Sequence, residues 1–94
     1  HLRATKKNCE LARYDNRLAC MGGVVYALVD NTWDGRYAMP FCAAFANNTD
    51  QEECFEMSIQ YLRTFFEKPI EDIAQDCSSH AADSPRCVEL AVKR

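Results

Sequence analysis

Apolar residues recur along this chain at intervals of three and four, and no stretch alternates convincingly with the period of two expected of a half-buried strand. Leu11, Tyr14, Leu18, Met21, Val25 and Leu28 form one such stripe, which predicts an amphipathic helix over about Thr5 to Asp30. Gly22-Gly23 lowers helix propensity in its middle. On its opposite face Cys9, Cys20, Gly23 and Ala27 are small enough to let a second helix approach closely. Turn formers crowd Asp30-Asn31-Thr32-Trp33-Asp34-Gly35, so a loop is expected there, followed by a short helix from Ala38 to Ala46 with Pro40 in its first turn. Thr49-Asp50-Gln51-Glu52 matches a capping box and opens a helix from about Asp50 to Phe66, with Cys54, Met57, Tyr61, Leu62, Phe65 and Phe66 as its apolar face. Pro69 starts a fourth helix that reaches about Cys77 and buries Ile70, Ile73, Ala74 and Cys77. Ser84-Pro85 starts a fifth. The expected fold is all-α, a small bundle of about five short helices forming one domain over residues 1–94.

So short a chain has little core to spare, and composition says what supplements it. Six cysteines, Cys9, Cys20, Cys42, Cys54, Cys77 and Cys87, are an even number at about 6% of 94 residues, which reads as three disulfides. Cys9, Cys42 and Cys77 are 33 and 35 apart, and Cys20, Cys54 and Cys87 are 34 and 33 apart, so the thiols form two interleaved series and three related helical units are conceivable. Local sequence after the second thiol of a unit agrees: Cys54-Phe-Glu-Met-Ser-Ile parallels Cys87-Val-Glu-Leu-Ala-Val. Pairing is open among 15 connectivities. If the first helix is unbroken, Cys9 and Cys20 stand roughly 16 Å apart, beyond the ~7 Å reach of a bridge. The preferred expectation is therefore Cys20–Cys42, Cys54–Cys77 and Cys9–Cys87; local corner bridges Cys42–Cys54 and Cys77–Cys87 are the main rival.

The 48% apolar content and net charge of −3 exclude a disordered chain. The longest apolar run, Val24 to Val29, is six residues, far short of a membrane span. With His1 rather than methionine at the start, the expectation is a processed extracellular product whose signal peptide has been removed. Lys93-Arg94 reads as a solvated helix end. Residues 1–20 carry five bases against two acids, while Asp50 to Asp83 holds nine acids against two bases; such a dipole suits a basic partner surface. A pI near 5.3 without a clustered basic face argues against nucleic acid.

Candidate chemistry is sparse. His80 lies in Ser78-Ser79-His80-Ala81-Ala82-Asp83, read as an exposed polar loop without a nucleophile elbow. His1 lacks a second histidine at helical spacing to complete a copper site. Asp30-x-Thr32-x-Asp34-Gly35 resembles the start of a calcium loop, but Phe41 stands where the bidentate glutamate belongs. Cysteine gaps of nine residues and more suit disulfides better than zinc. No cofactor, metal or catalytic residue is assigned, and an enzyme is not expected. Asn47-Asn48-Thr49 is a glycosylation sequon at Asn47 in an inter-helix loop.

Trp33, Asp34, Arg36 and Tyr37 are the most suggestive residues, because Trp, Arg and Tyr are enriched at binding hot spots and here flank Gly35. A lone tryptophan in a small domain also serves well as a core plug. The expected function is a secreted protein-binding module of the toxin, host-protein inhibitor or signalling type, acting on a receptor, channel or other host protein. The alternative is a carrier of a small apolar ligand in a helical core lined by Leu28, Met57, Tyr61 and Phe65. Exposure of Trp33 and the state of the core separate the two.

Overall fold

The computed structural model describes residues 2–93, with side chains from residue 6 onward except that of Tyr14; His1 and Arg94 lie outside the described residues. Six helices follow one another: α1 Leu2–Leu11, α2 Tyr14–Thr32, α3 Ala38–Ala43, α4 Asn48–Thr64, α5 Ile70–His80 and α6 Pro85–Lys93. The fold is an all-α, disulfide-stapled bundle, with six helices rather than five because the expected first helix is two. Nothing in Leu11-Ala12-Arg13 would break a helix by propensity. The break belongs to the thiols, since Cys9 and Cys20 are bridged with Cα atoms 5.5 Å apart, which no continuous helix allows. Arg17 supports the corner by turning its guanidinium toward the Ala12 carbonyl, with Nε and Nη2 each 3.4 Å from the oxygen.

The other bridges are Cys42–Cys54 and Cys77–Cys87, with Cα separations of 5.3 and 5.6 Å. Each of the three spans one helix corner, so the expected pairing Cys20–Cys42, Cys54–Cys77 and Cys9–Cys87 is corrected throughout. That pairing assumed an unbroken first helix, and it fails with that assumption. Every bridge joins two neighbouring cysteines in sequence across a loop of ten to twelve positions. By the chain-entropy argument each such closure stabilises the fold by about 3 kcal/mol.

Three helix-corner-helix units result, α1–α2, α3–α4 and α5–α6, and they coincide with the 33 to 35 residue spacing of the thiols. The second helices pack in register. Arg17 pairs with Asp50, Gly22 faces Met57, Tyr26 lies on Tyr61 and Trp33 on Phe66, with partner numbers rising together and differing by 33 to 35. Helices α2 and α4 therefore run parallel. Arg86 of α6 reaches Glu52 of α4 at a separation of 34, which continues the same register into the third unit.

The core is filled by Met21, Val25 and Val29 from α2, Met39 and Phe41 from α3, Phe45 beyond it, Phe55, Ile59 and Leu62 from α4, Ile73 from α5 and Leu90 from α6. The buried face of α4 is thus Cys54, Phe55, Ser58, Ile59 and Leu62. Of the expected face, Cys54 and Leu62 are buried, Met57, Tyr61 and Phe66 are partly buried against the core, and Phe65 is exposed; Phe55, Ser58 and Ile59 complete the buried face in its place. Leu11 is likewise solvent-facing rather than part of a buried stripe. Gly22 faces Met57, where a Cβ would meet Sδ at an ordinary contact distance of 3.7 Å, so the approach of α4 does not depend on glycine there; Gly23 and Ala27 are exposed and admit no helix. Asp50 is buried in the first turn of α4, where Arg17 Nη1 donates to both its oxygens at 2.9 and 3.2 Å.

Candidate protein-interaction surface

Helix α2 ends at Thr32, and Trp33 turns the chain in the left-handed region at φ 64°, its N–H donating to the Val29 carbonyl at 2.7 Å. A non-glycine residue there carries a conformational cost. The turn is held from both sides: the Thr32 hydroxyl donates to the Asp34 carbonyl at 3.1 Å, and the buried Gly35 N–H donates to Asp76 Oδ2 of α5 at 2.9 Å. A Cβ on Gly35 would come within 3.3 Å of the Asp76 Cβ and 3.0 Å of Met39, a tight fit that only a shift of those neighbours would relieve, so close approach favours glycine. The loop is anchored to the third unit, and its large side chains are carried outward on a fixed backbone.

Trp33 is 67% exposed and Tyr37 is also exposed. Arg36 turns back on Asp34, with Nε 3.1 and 3.2 Å and Nη2 2.9 Å from the carboxylate oxygens, and its N–H donates to Asp34 Oδ1 at 3.0 Å. The Arg36 hydrogen bond holds the Asp34 carboxyl down at about 2, and Asp34 in turn raises the Arg36 guanidinium above its ordinary value. Arg36 is therefore presented at the surface as half of a neutral pair. Thus the structure brings together all four residues singled out in the sequence, Trp33, Asp34, Arg36 and Tyr37.

Tyr61, Phe65 and Phe66, aromatics that by type serve either core or contact and are expected mostly in the core, join these four on a partly exposed surface. The Trp33 ring packs on Phe66 at 5.9 Å, Phe66 on Tyr61 at 5.5 Å, and Tyr61 on Tyr26 at 4.5 Å and Phe65 at 5.0 Å. This ridge runs along the seam of α2 and α4, with Phe65 72% and Tyr26 44% exposed. Tyr61 donates its hydroxyl to Asp30 Oδ1 at 2.6 Å, and that bond raises the phenol above its usual value. A signal for the ridge existed: shifting α2 by the cysteine repeat places Tyr26 beside Tyr61 and Trp33 beside Phe66.

The remaining sequence candidates fall elsewhere. Asp30 and Asp34, the start of the calcium-like loop, are engaged by Tyr61 and Arg36. Among the described residues no group of three or more His, Cys, Asp or Glu is placed to hold a metal ion, and no helix is long and apolar enough to cross a membrane. His80 lies in the last turn of α5 rather than in a loop, exposed beside an open groove that Asp83 and Ser84 also line. Asn47 caps α4, its side-chain oxygen accepting from the N–H groups of Thr49 and Asp50 at 2.7 and 3.3 Å; the cap expected of Thr49 belongs to Asn47. Leu28, Met57 and Tyr61 are half-buried over the core and Phe65 points to solvent, so these four do not surround an enclosed volume. Compared with family models, curated proteins and solved structures, the chain matches none.

Proposed function

We propose that this chain is a secreted, disulfide-stapled module that binds another protein, of the toxin, host-protein inhibitor or signalling type, through the surface around Trp33. One observation carries the reading: the single tryptophan is 67% exposed on a loop pinned by the Gly35–Asp76 bond. Large aromatics left in solvent on a rigid support lose little conformational entropy on binding and bury much area, which makes them typical anchors of an interface. Trp33, Tyr37 and the Asp34–Arg36 pair form its centre, and three bridges suit an oxidising, extracellular setting. The sequon at Asn47 lies in the exposed stretch before α4, where a glycan would be accommodated.

The test is a binding screen of the oxidised chain against extracellular receptor, channel and protease ectodomains by biolayer interferometry. Trp33→Ala should weaken a true complex by about 30-fold or more, the equivalent of a hot-spot loss near 2 kcal/mol, and Tyr37→Ala by less. Lys7→Ala on α1 should leave binding unchanged. A complex indifferent to Trp33 overturns this surface. A small apolar molecule copurifying at one per chain, with no ectodomain bound, would support the carrier.

A further inference from the structure

An open groove of about 370 Å³ lies between α2 and α4, walled by the rings of Tyr26, Tyr61 and Phe65 with Met57 and Glu56 beside them. Tyr61 is its hub. The neighbouring rings meet it at 4.5 and 5.0 Å and tilts of 41° and 49°, and with Tyr26 and Phe65 both exposed the cluster stays open to solvent. The Tyr61 hydroxyl gives its hydrogen bond to Asp30, which fixes the ring and draws electron density onto it. No lysine or arginine lines the groove, while Glu56 lines it and Asp30 is bonded to one of its walls. Aromatic faces converging beside carboxylates attract a cation, through the ring quadrupole and through charge.

We propose that this groove receives a lysine or arginine side chain presented by a basic segment of the protein partner. The proposal rests on the protein-binding reading above and adds to it the chemistry of what is bound. The probe is the peptide acetyl-Lys-Lys-Lys-Lys-amide, titrated at low salt into the oxidised chain and followed by NMR. Its ε-methylene protons should shift upfield and show contacts to the rings of Tyr26, Tyr61 and Phe65. Tyr26→Ala and Phe65→Ala, both at solvent-exposed rings, should each weaken binding at least threefold while leaving the helical circular dichroism intact. The same peptide with every lysine acetylated should not bind. Peptide binding that ignores both variants, or that survives acetylation, overturns the proposal by showing diffuse attraction to the acidic face or a merely apolar groove. Phosphatidylcholine vesicles contacting these rings when the peptide does not would overturn it in favour of a lipid headgroup. Because the titration needs no native partner, its failure leaves the Trp33 surface standing, and a partner indifferent to Trp33 leaves the groove standing.

Discussion

Replacing Arg17 with methionine should remove roughly 3 kcal/mol of folding stability, from the consequence for Asp50 more than from the loss of arginine. Asp50 is 3% exposed, and the guanidinium at 2.9 Å is the countercharge that lets its carboxylate stay there. Methionine keeps much of the aliphatic stem and leaves that carboxylate in the α2–α4 seam without a partner. Breaking a buried pair from one side costs about 3–5 kcal/mol. The Arg17 side chain is 24% exposed, so water partly screens the pair and the lower end applies. The contacts to the Ala12 carbonyl, at 3.4 Å, add little. A domain of this size holds about 5–14 kcal/mol in all, so the variant should melt some 12–24 °C lower. Urea unfolding followed by circular dichroism gives the number directly. The double variant Arg17→Met with Asp50→Asn should recover at least about 1.5 kcal/mol of the summed single losses, since a neutral amide is far less costly to bury. A single-variant loss under about 1 kcal/mol, or strict additivity, would refute the argument and reduce the pair to an ordinary surface ion pair.

Digestion of the oxidised chain with trypsin and Glu-C should yield disulfide-linked peptides pairing Cys9 with Cys20, Cys42 with Cys54 and Cys77 with Cys87; any cross-unit pair contradicts the fold. Asn47→Ala should cost about 1 kcal/mol in the same urea assay by uncapping α4. Asp34 should titrate at about 2 by carboxyl-carbon NMR and move back toward 3.8 in Arg36→Met. Because its folded value lies below the unfolded one, its small contribution to stability is present above about pH 4 and lost as pH falls toward 2. Asp76→Ala should strip the buried Gly35 N–H of its acceptor, costing about 1–3 kcal/mol and accelerating amide exchange at Gly35.

Helix periodicity, the thiol count and the later half of the loop expected over Asp30 to Gly35 were legible because each is a local property of the chain; Asp30, Asn31 and Thr32 instead complete α2. The corner at Ala12-Arg13 was not, since it is imposed by a covalent bond between residues that local propensity would place on one continuous helix. That single misreading propagated to all three pairings. The buried face of α4 was legible in part, at Cys54 and Leu62; Phe65, apolar by type, serves the surface, Phe55 and Ile59 take the inside, and Asp50 goes inside with Arg17. Trp33, Asp34, Arg36 and Tyr37 were visible as residue types, but Asp76, which fixes their loop, lies forty-one positions downstream of Gly35 and carries no signal of its own. Asn47 stood out as a sequon, which drew attention from its commoner role as a helix cap. The aromatic ridge was hidden in the parallel register of α2 and α4, which the cysteine repeat encodes.

Corner bridges between successive thiols also bear on how the chain matures. In any oxidising compartment that receives the chain at about 5–20 residues per second, Cys20 would appear roughly 1–4 seconds before Cys42, twenty-two residues later. A loop of about ten residues closes in well under a microsecond, so Cys9 and Cys20 meet many times in that interval, before Cys42 and the later thiols appear. The second and third pairs repeat the situation, each next to units already stapled. Correct pairing is thus favoured by order of appearance, and such a chain asks its compartment for an oxidant rather than for a catalyst that reshuffles wrong bonds.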